Sequence, residues 1–158
     1  MIFLSKLNIG CGIDIKEGYI NIDVRLLPGV NIIADVFNLP FKDNSISEIY
    51  ACDVYEHISH RKSKELLKHW VNKLKKGGLL FIQTTNLLSL IDYILKSNKI
   101  EDAVSRIFGG QDYPENTHLT SGHPVILEKY LRDSGITGEI KFEYKFGNMT
   151  NLRCRSIK

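Results

Sequence analysis

Two glycines flank Cys11 directly after a short apolar run, Leu7-Asn8-Ile9, and aspartates follow at positions 23 and 35. Glycine at 10 and 12 lets the backbone turn sharply and approach a ligand with no Cβ in the way. Asp23 lies near the end of a second β-rich run, residues 19–24, and Asp35 near the end of a third, residues 31–36. A carboxylate at the first place can accept both hydroxyls of a ribose. At the second it can accept from the exocyclic amine of a purine. Parallel sheets bind ligands at the carboxyl ends of their strands, so all three features converge on one crevice. Two ligand classes drop out. Gly10-Cys11-Gly12-Ile13-Asp14-Ile15 lacks the third glycine of a dinucleotide fingerprint, and Asp23 comes eleven positions after Gly12, where that fingerprint expects about twenty. A Walker-type phosphate loop is missing from the sequence. The expected ligand is a nucleoside without a pyrophosphate.

A second cluster, Asp53-Val54-Tyr55-Glu56-His57-Ile58-Ser59-His60, packs carboxylates and imidazoles densely enough for acid–base work or a metal. His57-x-x-His60 with Asp53 is not a distinctive ligand spacing, so no metal is expected. His57 and His118 are the candidate general bases, because histidine titrates near neutral pH; the plainer role for His57 is a helix-start residue bonded to backbone. A third segment, Gln111-Asp112-Tyr113-Pro114-Glu115-Asn116-Thr117-His118, is either a lid touching substrate through Tyr113 or His118, or a surface loop with no role. Residues 61–76 carry seven Lys/Arg against one Glu. Its one aromatic, Trp70, falls on the apolar face, so the basic residues read as the solvated face of a helix and not a nucleic-acid surface. Asp35, Asp43, Glu48, Asp53 and Glu56 outnumber Lys42 near the crevice, and a negative field there suits a cation.

These residues need elements to hold them. The early runs and residues 48–55 are mostly apolar or β-branched, as in strands covered on both faces. Leu66, Leu67, Trp70, Val71 and Leu74 form one face of a helix that Gly77-Gly78 would cap. Residues 79–84 read as a fifth strand, residues 87–97 and 100–108 as helices, and residues 124–133 as a helix opened by Pro124 and closed by Gly135. Residues 139–144 and 152–157 read as an antiparallel hairpin turning near Gly147-Asn148. The whole is an α/β sheet, mostly parallel.

Taken in order, Leu7-Asn8-Ile9-Gly10-Cys11-Gly12, Gly18-Tyr19-Ile20-Asn21-Ile22-Asp23 and Ala34-Asp35-Val36 with Leu39-Pro40-Phe41 resemble class I S-adenosylmethionine-dependent methyltransferases. So do Val54-Tyr55-Glu56-His57 and Leu74-Lys75-Lys76-Gly77-Gly78-Leu79-Leu80, and Gly109-Gly110-Gln111-Asp112-Tyr113 with His118 continues the match. Within that superfamily it resembles small methyltransferases often linked to surface-sugar metabolism. The resemblance implies a Rossmann-like, mostly parallel sheet of seven strands ending in an antiparallel hairpin. It implies S-adenosyl-L-methionine as cofactor, with Gly10, Cys11 and Gly12 beside its methionine part and Asp23 on the ribose. Asp35 and Val36 would meet the adenine, and Asp53 would lie at the methyl-facing end of the fourth strand. Only six residues (13–18) separate the first two strands and six (25–30) the next two. Parallel crossovers normally take ten or more, so the early crossover helices are expected to be reduced.

At 158 residues the chain is expected to be a single domain, with residues 87–124 as a helical insertion and lid loop. Lys and Arg number 21 and Asp and Glu 18, giving +3, too mild to announce a nucleic-acid partner. Three scattered cysteines fit a reduced cytoplasmic protein, and no apolar run approaches a membrane span. The expected reaction moves a methyl group onto an oxygen or nitrogen of a small-molecule or carbohydrate-like acceptor, in a monomer or homodimer. A non-catalytic cofactor-binding module and an RNA-directed methyltransferase are the alternatives.

Overall fold

Alternation along the strands sorts side chains onto two unlike faces. In the computed structural model, which describes residues 5–96, 100–144 and 151–158, the strands are β1 (Ser5–Ile9), β2 (Ile20–Asp23), β3 (Ile32–Ile33), β4 (Ile46–Cys52), β5 (Leu74–Thr85), β6 (Ile140–Tyr144) and β7 (Asn151–Ile157). They form one sheet in the order β3-β2-β1-β4-β5-β7-β6. The first five are parallel, and β7 runs antiparallel to β5 and β6. Ile22, Ile9, Ala51, Ile82 and Cys154 line up across this sheet on one face. Two helices cover that face, α1 (Ser63–Lys73) and α4 (Pro124–Asp133). Leu66, Leu67, Trp70 and Val71 of α1 and Leu127 and Leu131 of α4 are fully buried against it, and together they make the hydrophobic core.

No helix crosses between β1 and β2 or between β2 and β3. Asparagines hold these short loops instead. Asn8 Nδ2 donates to the Asp14 carbonyl and to Asn21 Oδ1, both at 2.8 Å. Asn21 Oδ1 also accepts the Lys16 N–H at 2.9 Å, and the Asn21 N–H donates to Asn31 Oδ1 at 2.8 Å. Asn8 and Asn21 are 2% and 3% exposed. The Asn21 amide, bonded at both ends, and the Asn8 Nδ2, donating twice, stand in for the helix–sheet packing that usually fixes a crossover.

Three expectations shift. Helix α1 stops at Lys73, because fully buried Leu74 turns to extended geometry and pulls the chain into the sheet. Gly77 and Gly78 therefore lie within β5, at a bulge between the Ile46–Leu74 and Glu48–Leu79 pairs, rather than capping a helix. The third strand ends at Ile33, leaving Asp35 and Val36 beyond it. The hairpin turn near Gly147-Asn148 lies outside the described residues. After β5 come α2 (Leu87–Lys96) and α3 (Ile100–Phe108), then the loop that returns to α4. No described helix is long and apolar enough to cross a membrane.

Candidate active site

The carboxyl ends of β1, β2 and β4 open into a crevice of about 230 Å3. Gly10 turns into it with φ +59°, and a Cβ there would stand 2.5 Å from Val54 Cγ2. Only glycine meets both conditions. The Cys11 N–H is tied to the Ile22 carbonyl at 2.9 Å. Its side chain is 5% exposed, burial raises the thiol pKa, and its carbonyl accepts the Asp14 N–H at 2.8 Å, so Cys11 shapes the turn and does not line the crevice. Asp23 is 5% exposed. Its Oδ2 accepts the Gly12 N–H at 2.8 Å, and its Oδ1 accepts the Arg25 N–H at 2.9 Å and Nε–H at 3.1 Å. The Arg25 guanidinium in turn stacks 4.1 Å from the Tyr113 ring centroid.

Asp35 is exposed at the crevice rim and accepts the Phe37 N–H at 2.8 Å, an Asx turn that sets the following backbone. Trp70 reaches up from α1 and donates its indole N–H to the Val36 carbonyl at 3.0 Å, fixing that segment. Asp53 has φ +54°, a left-handed residue straight after β4. Its N–H is bonded to the Gln83 carbonyl at 2.9 Å, and Gln83 Nε2 donates to its carboxylate at 3.3 Å. The crevice thus brings together Gly10, Asp23, Asp35, Val36, Asp53 and Tyr113 of the sequence candidates, without Cys11 or Gly12, and adds Arg25 and Glu115.

A short 3-10 turn, Tyr55–His57, follows. His57 Nδ1 meets the Thr117 carbonyl at 3.2 Å and His118 Nδ1 the Arg106 carbonyl at 3.0 Å. A carbonyl only accepts, so each Nδ1 carries the proton and each Nε2 keeps a lone pair. The two rings meet edge to face, centroids 4.9 Å apart. Burial, then the neighbouring His118, lowers the His57 pKa and keeps it neutral. His57 lines the crevice, while His118 lines a second chamber of about 380 Å3 walled by Leu90, Ile91, Ile94, Ile107 and Phe108. The imidazole pair is the partition between the two spaces.

Glu56, between the partition and β5, is 1% exposed. Its Oε1 accepts the Thr85 N–H at 3.3 Å, and its backbone carbonyl accepts from Leu119 and Thr120 at 2.7 and 3.0 Å. Among the described residues its Oε2 has no hydrogen-bond partner. Burial, then the Asp53 charge, pushes its pKa up to about 7. The loop it anchors folds tightly on itself. Gly109 has φ +79°, and a Cβ there would run into the Asn116 carbonyl and His118. Glu56 and Arg25 escaped the sequence reading as site residues; the Glu-His dipeptide was the one clue to the first. Among the described residues, no three His, Cys, Asp or Glu side chains gather closely enough to hold a metal.

With this geometry in view, the comparisons with known proteins are specific. A family model described as methyltransferase domain matches residues 4–82, half of the chain. The chain belongs to that family. It is a class I methyltransferase domain, an enzyme class whose methyl donor is S-adenosylmethionine. No curated protein matches this chain. Among solved structures, this methyltransferase domain is similar to an S-adenosylmethionine-dependent methyltransferase from Archaeoglobus fulgidus, at 16% identity over 98% of this chain and 86% of that one, TM-score 0.65. It is similar to a possible histamine N-methyltransferase from Thermotoga maritima, at 17% identity over 98% and 82%, TM-score 0.61. It also matches a Haemonchus contortus phosphoethanolamine N-methyltransferase in complex with S-adenosylmethionine, at 14% identity over 98% of this chain but 48% of that one, TM-score 0.61. At these identities the likeness is one of fold, including the seven-stranded sheet with its antiparallel end.

Proposed function

We propose that this domain transfers the methyl group of S-adenosylmethionine to an oxygen or nitrogen of a small acceptor seated between α2, α3 and the histidine partition. The observation that carries this reading is the His57–His118 pair, each Nε2 free, standing between an acidic crevice and an apolar chamber. The crevice suits the cofactor. A glycine cradle admits close approach, a buried carboxylate faces a ribose site, and Asp35, Asp53 and Glu115 give a negative rim for a sulfonium. Asp23 holds the ribose, and Asp35 with the Val36 backbone receives the adenine. The Gly10-Cys11-Gly12 turn supports the methionine part, and Asp53 lies toward the methyl group. An ionised carboxylate offers about four lone-pair sites, and Asp23 already uses three. Gripping both ribose hydroxyls would therefore free the Arg25 side chain. Arg25 Nη2 lies 3.6 Å from where a Cβ on Gly12 would be, so the guanidinium would then be placed to hold the cofactor's carboxylate.

The bound cofactor supplies an electrophilic methyl carbon. The chain's part is to hold the acceptor in line with it and to take the acceptor's proton at His57 or His118 Nε2, a contribution often worth ~10²–10⁴ in rate. Of the two expected acceptor classes, the chamber favours a small molecule with an apolar body. A bare sugar would have only Thr85, Arg106, His118, Thr120 and Ser121 to pair its hydroxyls and would set its remaining hydroxyls against Leu90, Ile91 and Phe108. Tyr113, stacked on Arg25, covers the cofactor, and His118 faces the acceptor.

Calorimetry with S-adenosylhomocysteine tests the first layer: micromolar binding is expected, and no binding overturns the reading. Methyl transfer to hydroxyl- and amine-bearing aromatic or aliphatic compounds, followed by mass, tests the second. Cofactor binding with no transfer to any of them identifies a binding module instead.

A further inference from the structure

The core covers one face of the sheet; the other carries a different chemistry. Parallel sheets are ordinarily covered on both faces, and their strands are then apolar throughout. Here the second face is built from Tyr50 and Phe81, cross-strand partners on β4 and β5, with Arg155 of β7 next in the same row. Tyr50 and Phe81 stack at 4.6 Å and 5°, and Tyr19 meets Tyr50 edge-on at 6.5 Å. Cations flank the rings. Lys16 Nζ lies 4.1 Å from the Tyr50 centroid, Arg155 5.6 Å from Phe81, and Lys6 5.4 Å from Tyr19. Arg153 completes a hollow of about 310 Å3 between them.

We propose that this sheet face is a docking surface for single-stranded RNA, with phosphates on Lys6, Lys16, Arg153 and Arg155 and bases against Tyr19 and Tyr50. The surface is distinct from the acceptor chamber and goes beyond the methyl transfer proposed above. Charge and shape select the occupant. Lys6, Lys16, Arg153 and Arg155, with Lys141 beside Arg155, stand against Glu143, opposite Arg153, and Glu48. Glu48 is itself engaged by Lys6 at 3.2 Å and by the Tyr19 hydroxyl at 2.6 Å; Arg153 Nε also donates to Gln83 Oε1 at 2.8 Å. Asp14 lies on the loop above. A second copy of the same face would bring like charges together. A covering apolar helix would meet lysine and arginine. A chain of alternating phosphates and flat bases meets what each position offers: cations at intervals and rings between them. The Lys16 ammonium, now resting on Tyr50, moves to a phosphate and bares that ring. From Tyr19 beside β1 across to β7 the row spans several inter-strand spacings of about 4.8 Å, room for a few nucleotides. The basic helix buries its one aromatic, Trp70, in the core, whereas here rings stand among the cations.

The test uses the full chain and a fluorescein-labelled ten-nucleotide oligouridylate, followed by anisotropy. Binding is expected at 50 mM salt, weakening roughly 20- to 50-fold by 200 mM, as three or four released counterions per complex require. The double variant Lys16→Glu/Arg155→Glu should lose at least tenfold while S-adenosylhomocysteine affinity, read by calorimetry, stays at the parent value. Arg61→Glu/Lys68→Glu, on and before α1, should change RNA affinity less than twofold. No binding at 50 mM salt overturns the proposal, as does loss through the α1 variant with the sheet variant intact. Equal affinity for polyglutamate overturns it in favour of an acidic protein partner, and equal affinity for duplex RNA in favour of unspecific polyanion attraction. None of these outcomes bears on cofactor binding, so failure here is separate from failure of the methyltransferase reading.

Discussion

Three protein donors converge on Asp23, so this carboxylate organises its own surroundings before any ligand arrives. Asp23→Ala should weaken S-adenosylhomocysteine binding at least tenfold by calorimetry; an unchanged affinity would put the ribose elsewhere. Glu56 makes a second prediction. Its pKa is raised from 4.5 to about 7, so the folded state holds a proton that the unfolded chain has lost. The stability tied to that proton is complete below 4.5 and is lost as pH rises to about 7. Glu56→Gln keeps the shape without the charge, so its melting temperature relative to the parent should climb across that window. A flat difference would mean that Glu56 is ionised in the fold. His57 works in the opposite direction. If its Nε2 takes the proton, its lowered pKa places the acid limb of kcat/KM below the ordinary imidazole range, and His57→Ala should flatten that limb and cut the rate by ~10²-fold or more. Glycines and strand-end aspartates were legible in the sequence because their types and order suffice. Arg25 and Glu56 were not, since Arg25 matters through Asp23 and Tyr113, and Glu56 through Thr85 and Leu119.

At the level of elements, the asparagine ladder replaces two helices. Asn21 meets Asn8, Lys16 and Asn31 from a position 3% exposed. Asn21→Ala would strand the Asn8 amide and the Lys16 N–H, at a cost of about 2–3 kcal/mol, readable by urea denaturation. Spacing alone showed that loops must make these crossovers, because six residues cannot hold a crossover helix. It did not show what would hold the loops, because asparagine in a strand reads as a turn or edge residue until its partner is known. The Gly77-Gly78 pair misled for the same kind of reason. A glycine pair after a helical pattern fits a cap, but burial of Leu74 ends the helix four residues sooner and leaves the glycines to a strand bulge.

Across the whole molecule, the parallel order and terminal hairpin follow from short apolar runs and the family motifs. The two chemically unlike faces of the sheet do not. Lys6, Lys16, Tyr50, Phe81, Arg153 and Arg155 are scattered through the chain, and only strand register assembles them. A net charge of +3 hides how unevenly that charge is placed.

The partition between crevice and chamber has a kinetic consequence. In the function proposed above, the cofactor would enter over the strand ends beside Asp23 and Asp35 and the acceptor between α2 and α3, with the His57–His118 pair between the two spaces. Separate doors impose no order of arrival. Initial rates should therefore fit a random sequential scheme, with S-adenosylhomocysteine competitive against the methyl donor and noncompetitive against the acceptor. Each spent donor can leave while the acceptor stays, so an acceptor with more than one free amine or hydroxyl can be methylated repeatedly in a single visit.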